Sequence, residues 1–283
     1  MSINMCEAAG ETAVAPGEKM SVLAFVMSGA HFTEPAGLFM KVFTRTTFVL
    51  ALAFTAGGNA YAQESDWPDV EGRIQYGFYT EDARTLADVV NQLSGPEGAD
   101  DPLRHYYVGL ANYRLATVLT AKDRNRAREA AARCVSRLDV AVSGKSEFAE
   151  GLALQSACLR ALGNLTAWKP LAGVKSNGQM ERAVKLAPKD PRVLLLQALE
   201  NGEGGKIDAP AIVKLKKAAE AFEAERQGID HTPGWGAAEV YAYLGRGYLE
   251  QGDVLAARDA LERALLIAPD FVMARKLLAR ITG

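Results

Sequence analysis

From residue 102 to the C-terminus, apolar side chains recur three or four positions apart, the period of helices that bury one face, and glycine, proline and aspartate interrupt them at short intervals. The pattern predicts helices over Tyr106 to Val118, Ala127 to Leu138 and Glu147 to Leu162, the last ended by Gly163. A short helix from Pro191 carries Val193, Leu194, Leu195, Leu196 and Leu199 and is stopped by Gly202, Gly204 and Gly205. Ala211, Leu215 and Ala218 mark the helix after it. Arg226 to Ala237, with Thr232-Pro233-Gly234-Trp235-Gly236 inside it, reads as a loop. Upstream, one amphipathic helix is expected near Asp82 to Leu93, before the loop Ser94-Gly95-Pro96-Glu97-Gly98. Near the end, Leu277, Leu278 and Ile281 are apolar among Lys276 and Arg280, as in a helix that caps the last layer.

The sharpest regularity lies in residues 238–271, where Tyr241, Leu244, Gly245, Tyr248, Gly252, Ala257, Leu261, Ala264 and Pro269 alternate large and small side chains across two helices. Antiparallel helices approach closely only where residues such as Gly245 and Ala257 present no bulk, while Tyr248 and Leu261 fill the gaps above and below. Gln251-Gly252-Asp253 supplies a glycine C-cap and an acidic helix start. Upstream, Met180 to Pro188 parallels Leu261 to Pro269, which aligns Ala183 with Ala264 and Pro188 with Pro269. That second unit carries an apparent insertion around Trp168-Lys169-Pro170. In a degenerate first unit Gly109 matches Gly245, and Ala127, Ala130 and Cys134 match Ala257, Ala260 and Ala264. Its linker is about six residues longer than such a repeat needs.

These positions resemble the tetratricopeptide repeat. The resemblance implies an all-α, tetratricopeptide-like solenoid of helical hairpins, about four degenerate repeats plus a C-terminal capping helix, spanning residues 102–283 behind a helical and loop segment at 63–101. Stacking three or more such units buries a continuous core. Pro191-Arg192-Val193-Leu194-Leu195-Leu196 and Pro233-Gly234-Trp235-Gly236 look like the corresponding runs of uncharacterised exported repeat proteins of Gram-negative bacteria, which implies location and fold rather than an activity.

The first 62 residues follow a different pattern. Lys41 and Arg45 precede the apolar run Phe48 to Phe54, and Ala60-Tyr61-Ala62 follows it, the layout of a secretory signal peptide over residues 40–62 with cleavage after Ala62. Such signals begin close to their basic residues, so Met40 is the expected start and residues 1–39 an over-extended N-terminus. Retention of residues 46–62 as an anchor is the alternative, although the run is short and rich in Thr and Gly for a membrane span. The expected location is the periplasm.

With 49% hydrophobic residues and a net charge of -2, the chain can build a core and lacks the basic excess of a duplex-DNA binder. No cofactor, metal or catalytic centre is expected. His31, His105 and His231 fall in no metal-binding spacing, and Gly202-Glu203-Gly204-Gly205-Lys206 lacks the hydroxyl residue of a phosphate loop. Asp100-Asp101 before Pro102 reads as a helix cap. Cys134 and Cys158 could pair in an oxidising compartment, while the stronger reading makes Cys134 a small core residue at a tight helix contact.

In this fold the first helices of successive units line a concave groove. Register places Tyr106, Leu110, Tyr113 and Arg114, then Glu150 and Arg160, then Arg246, Leu249 and Glu250 along it. An aromatic and arginine mixture suits a peptide or protein segment; Tyr106, Leu110 and Tyr113 read equally well as core. The lysine and asparagine set with which other tetratricopeptide domains hold a C-terminal carboxylate is not reproduced. Trp235 reads as a loop anchor before a contact residue. The expected function is therefore a non-catalytic periplasmic interaction or assembly module that holds a protein or peptide of the cell envelope, without nucleic acid and with membrane only by association. The alternatives are a small-solute-binding accessory of an envelope transporter, its pocket closed by Trp168 and Trp235, and a structural helical spacer.

Overall fold

Among the described residues, seven aspartates start helices. The carboxylates of Asp66, Asp82, Asp101, Asp123, Asp190, Asp208 and Asp253 each accept a backbone N–H from the first turn of the helix that follows. Pro68, Pro102 and Pro191 occupy the opening positions of their helices, where a missing N–H costs nothing. The computed structural model describes residues 66–95, 101–167, 169–200, 206–225 and 233–282. The expectations for the leader and its cleavage after Ala62, for Trp168, for Gly202 to Gly205, and for His31 and His231 lie outside the described residues.

Among those residues there are eleven helices and no strand: α1 Trp67–Tyr79, α2 Ala83–Leu93, α3 Pro102–Leu119, α4 Arg124–Gly144, α5 Ala149–Leu165, α6 Lys169–Leu186, α7 Pro191–Ala198, α8 Ala209–Glu225, α9 Ala237–Gln251, α10 Val254–Ile267 and α11 Val272–Thr282. They stack as consecutive antiparallel hairpins, α1/α2 through α9/α10, with α11 closing the last layer. First helices meet across layers, α1 with α3, α3 with α5, α5 with α7 and α9 with α11. This is an all-α helical repeat solenoid. Among the described residues no helix is long and apolar enough to cross a membrane.

The last hairpin matches its expected register closely. A Cβ on Gly245 would stand 2.5 Å from Leu261 Cγ, and Ala257, Leu261 and Ala264 are fully buried against α9. Gly252, at φ +81°, closes α9 in the left-handed conformation that glycine adopts without strain. Gly109 likewise lets α4 approach α3, since a Cβ there would lie 2.7 Å from Leu138 Cγ. The two glycines are nevertheless not equivalent. Gly245 works close to its bend, whereas Gly109 sits roughly one and a half turns farther from its own.

Several boundaries are corrected. The expected long linker of the first unit is the turn Thr120 to Asp123, because the additional residues extend α3 and α4. No insertion separates α5 from α6: α5 runs through Gly163 to Leu165, and α6 begins at Lys169. A fifth hairpin precedes the expected four, since α1 buries Val70, Ile74 and Phe78 at four-residue spacing against α2 and α3. Cys134 of α4 and Cys158 of α5 form a disulfide, with Cα atoms 5.9 Å apart. The reading of Cys134 as only a small core residue is thereby corrected; both cysteines lie on the facing buried stripes of adjacent helices.

Candidate functional site

The inner face of the solenoid is filled by its own side chains. Arg114 of α3 donates to Glu239 of α9 at 2.6 Å, and its guanidinium lies 4.2 Å from the ring centre of Phe78 and 4.9 Å from that of Trp235. Trp235 Nε1 donates to Tyr106 Oη at 2.7 Å, and Tyr106 in turn donates to Glu150 at 3.3 Å. Arg192 makes a two-pronged bond to Glu225 at 2.7 and 3.0 Å and stands 3.5 Å from Glu150. Glu71 of α1 accepts from Tyr107 and from the backbone N–H of Gly234. At the outer end of this seam Phe271 packs on Phe78 and Tyr79, and Lys276 of α11 pairs with Glu81 at 2.9 Å.

Residues separated by more than one hundred positions thus close the first helices of the early layers onto those of the last. The placement of Tyr106, Leu110, Arg114 and Glu150 on a solvent-open groove is corrected, since all four are buried. The physical cause is local. Gly236, at φ +113°, turns the chain so that Trp235 enters the interior, and a Cβ at that position would stand 2.5 Å from Phe222 Cζ. Trp235 is 1% exposed, the loop anchor that the sequence favours. It lines neither of the two clefts described below.

Burial sets the protonation of this interior. Desolvation pushes the Glu150 carboxyl up to about 8 against the pull of Arg192, and Asp190, with which it shares a hydrogen bond, pushes it the same way. Burial also raises Glu71, against its bonds from Tyr107 and Gly234, and Glu239, against Arg114. One guanidinium, Arg192, serves both Glu225 and Glu150, so a proton on Glu150 relieves an uncompensated buried charge. Raised carboxyls in an accessible site would be candidates for acid–base chemistry. These three line neither of the two clefts described next.

Among the described residues, a cleft of about 150 Å³ runs across α3, α5 and the end of α7. Ala157 and Ala161 line it beside Leu196 and Leu199, with Tyr113 and Arg160 among its polar walls. Arg160 is held by Glu200 and donates to Ser156 Oγ at 3.1 Å. The structure thus brings together Tyr113 and Arg160. Arg246 instead pairs with Glu250 at 2.9 Å, and Glu250 also accepts the Ile207 N–H at 2.6 Å, which ties α9 to the segment before α8; Leu249 is half-buried. Thr117 and Asn164 belong to the cleft without having been singled out in the sequence, and Leu196 and Leu199 were read there only as the apolar face of a short helix, because their convergence depends on how three helices stack.

A second, larger cleft of about 430 Å³ opens between α4 and α6 on the outer side. Val135, Leu159, Leu162 and Leu171 line it, with Lys175 also at its wall. Among the described residues no group of His, Cys, Asp or Glu could hold a metal ion, and His105 is buried in α3.

No family model matches the sequence, and no curated protein matches it. Among solved structures the chain is similar to the HusA haemophore from Porphyromonas gingivalis, at 20% identity over 66% of this chain and 94% of that one, with a TM-score of 0.49. It is also similar to a thermophilic tetratricopeptide-repeat protein of Thermus thermophilus, at 15% identity over 75% of this chain and 98% of that one, with a TM-score of 0.45. Likenesses at these scores carry no argument about what the chain binds, and its fold rests on the helices themselves.

Proposed function

We propose that the chain is an exported, non-catalytic interaction module that holds a short segment of an envelope protein in the cleft beside Tyr113. The observation that carries this reading is the convergence of Tyr113, Thr117, Arg160 and Asn164 with four apolar side chains from three successive layers. An aromatic ring, a fixed guanidinium and an apolar floor together recognise an amphipathic side chain with its flanking peptide groups. At about 150 Å³ the cleft is below the ~300 Å³ at which small-molecule sites begin. That size favours a peptide over a solute here. The signal-like run at residues 40–62 and the Cys134–Cys158 disulfide support an oxidising, exported location.

The test is photo-cross-linking in the native host from position 117, with the attached peptide identified by mass spectrometry and then titrated as a synthetic segment. Thr117→Arg, which plugs the cleft from its exposed edge, and Tyr113→Ala serve as controls. Capture of one segment by the cross-linker at position 117, with binding of the synthetic segment to the parent and not to either folded variant, supports the reading. Equal binding by parent and variants removes the cleft from the proposal.

A further inference from the structure

The outer surface of α4 and α6 is unlike the rest of the chain. These two helices carry nine basic and three acidic residues, in a chain whose net charge is -2, so the positive charge is segregated rather than general. None of the five arginines of α4 forms an ion pair among the described residues; Arg124 donates to the Asn164 carbonyl and Arg133 to the Asn112 side chain, which position their guanidiniums without neutralising them. Arg124, Arg128 and Val135 share one flank of α4, whose far end carries Asp139 within electrostatic reach of Lys175, and Leu171, Lys175 and Arg182 share one flank of α6. Val135, Leu171 and Lys175 meet across the 430 Å³ cleft, so these flanks face each other. Beside them Leu171 and Val174 stand 62% and 72% exposed.

A soluble polyanion would meet the arginines but would leave these aliphatic side chains in water. A bilayer surface satisfies both, with phosphates at the level of the guanidiniums and an apolar boundary beneath them. We propose that the outer furrow between α4 and α6 docks on an anionic phospholipid surface, with Arg124, Arg128, Lys175 and Arg182 among the headgroups and Leu171 and Val174 at the acyl boundary. This surface is separate from the Tyr113 cleft, and its failure would leave the peptide reading untouched.

The experiment is co-sedimentation of the protein, as its host processes it, with vesicles of phosphatidylcholine alone or of phosphatidylcholine and phosphatidylglycerol in equal amounts. Variants differ only in the furrow, so the N-terminal residues cannot account for differences among them. Binding is expected to the mixed vesicles and not to the zwitterionic ones. Arg128→Gln with Lys175→Gln should weaken it roughly twenty-five-fold, about fivefold per charge removed. Leu171→Asp with Val174→Asp should weaken it at least as much, and both pairs should melt with the parent because the altered side chains are exposed. No binding to mixed vesicles, equal binding to both kinds, or indifference to either pair of substitutions overturns the proposal. Sensitivity to the charge pair alone would mean that Leu171 and Val174 do not reach the acyl boundary and would also overturn it.

Discussion

Glu239→Leu and Arg114→Met remove opposite halves of one buried ion pair, and their costs should differ. The two side chains are 1% and 4% exposed and meet at 2.6 Å. Without Glu239, the guanidinium stays charged, because arginine does not lose its proton in a folded protein. Stacking on Phe78 and Trp235 compensates only part of that. The expected cost is ~3–5 kcal/mol, the range for an abandoned buried charge. Without Arg114 the acid has an escape: burial already raises its pKa, so it takes a proton and becomes neutral. The remaining loss, a charge-assisted hydrogen bond and the ring contacts, should come to ~2 kcal/mol. The double variant abandons no charge, and its cost should fall at least ~2 kcal/mol below the sum of the single costs. Urea unfolding followed by far-UV circular dichroism measures all four proteins. Repeating it at pH 5 and pH 8 adds a sign. In Arg114→Met the folded-state pKa of Glu239 lies above the ordinary value of 4.5, so stability is full below that value and declines as pH rises toward the folded pKa. Equal single costs, or an additive double variant, would refute the argument that charge abandonment dominates.

Other perturbations probe the same structure. Gly245→Leu should destabilise by ~1–3 kcal/mol through overpacking against Leu261, and a thermal melt like the parent's would show that α9 and α10 are not in the contact described. Glu150, raised from 4.5 to about 8, favours the folded state when protonated. Its contribution is complete below pH ~4.5 and disappears as pH rises through about 8, so Glu150→Gln should flatten that slope in pH-dependent melts. Reduction of Cys134–Cys158, whose sulfurs close a loop with a sequence separation of 24, should cost ~3.5 kcal/mol. A free thiol at Cys134 or Cys158 in the oxidised protein, located by alkylation and mass, would sink that expectation.

The hairpin at residues 238–271 is legible in the sequence because each of its contacts is local: Gly245 with Leu261, Gly252 at the bend, Asp253 at the next cap. Local spacing also separates α7 from α8. It fails where the partner is far along the chain. Tyr106 and Arg114 occupy first-helix positions that face inward in any such solenoid, and nothing in their own segment announces that Trp235 or Glu239 will meet them. Superhelical pitch is the sum of small layer-to-layer rotations, so it cannot be read from one repeat. The disulfide stood only as the weaker of two readings for a related reason: Cys134 fits a small-residue position within its own hairpin, and its partner comes from the following layer. Helix α1 was present in the sequence, in Asp66, Pro68 and the four-residue spacing of Val70, Ile74 and Phe78, but it lacks the glycine and alanine marks that identify the repeat.

The filled interior decides what this solenoid can hold and poses a question about why it is filled with charge. An open concave face would take an extended peptide along its length; here Trp235, Arg114, Glu239 and Arg192 occupy that space, leaving the cleft beside Tyr113. An apolar fill of similar volume would avoid the desolvation cost of two buried guanidiniums. It would also accept several packings of early layers on late ones. A planar guanidinium bonded to Glu239 and stacked between Phe78 and Trp235 accepts one. If the charges are retained to select that geometry, the Arg114→Met, Glu239→Leu double variant should fold yet lose uniqueness. The Trp235 indole N–H, which donates to Tyr106 in the parent, would then give broadened or doubled resonances. A single sharp indole signal at the parent's position in the double variant would mean that shape alone fixes the closure, and that the buried charges need another explanation.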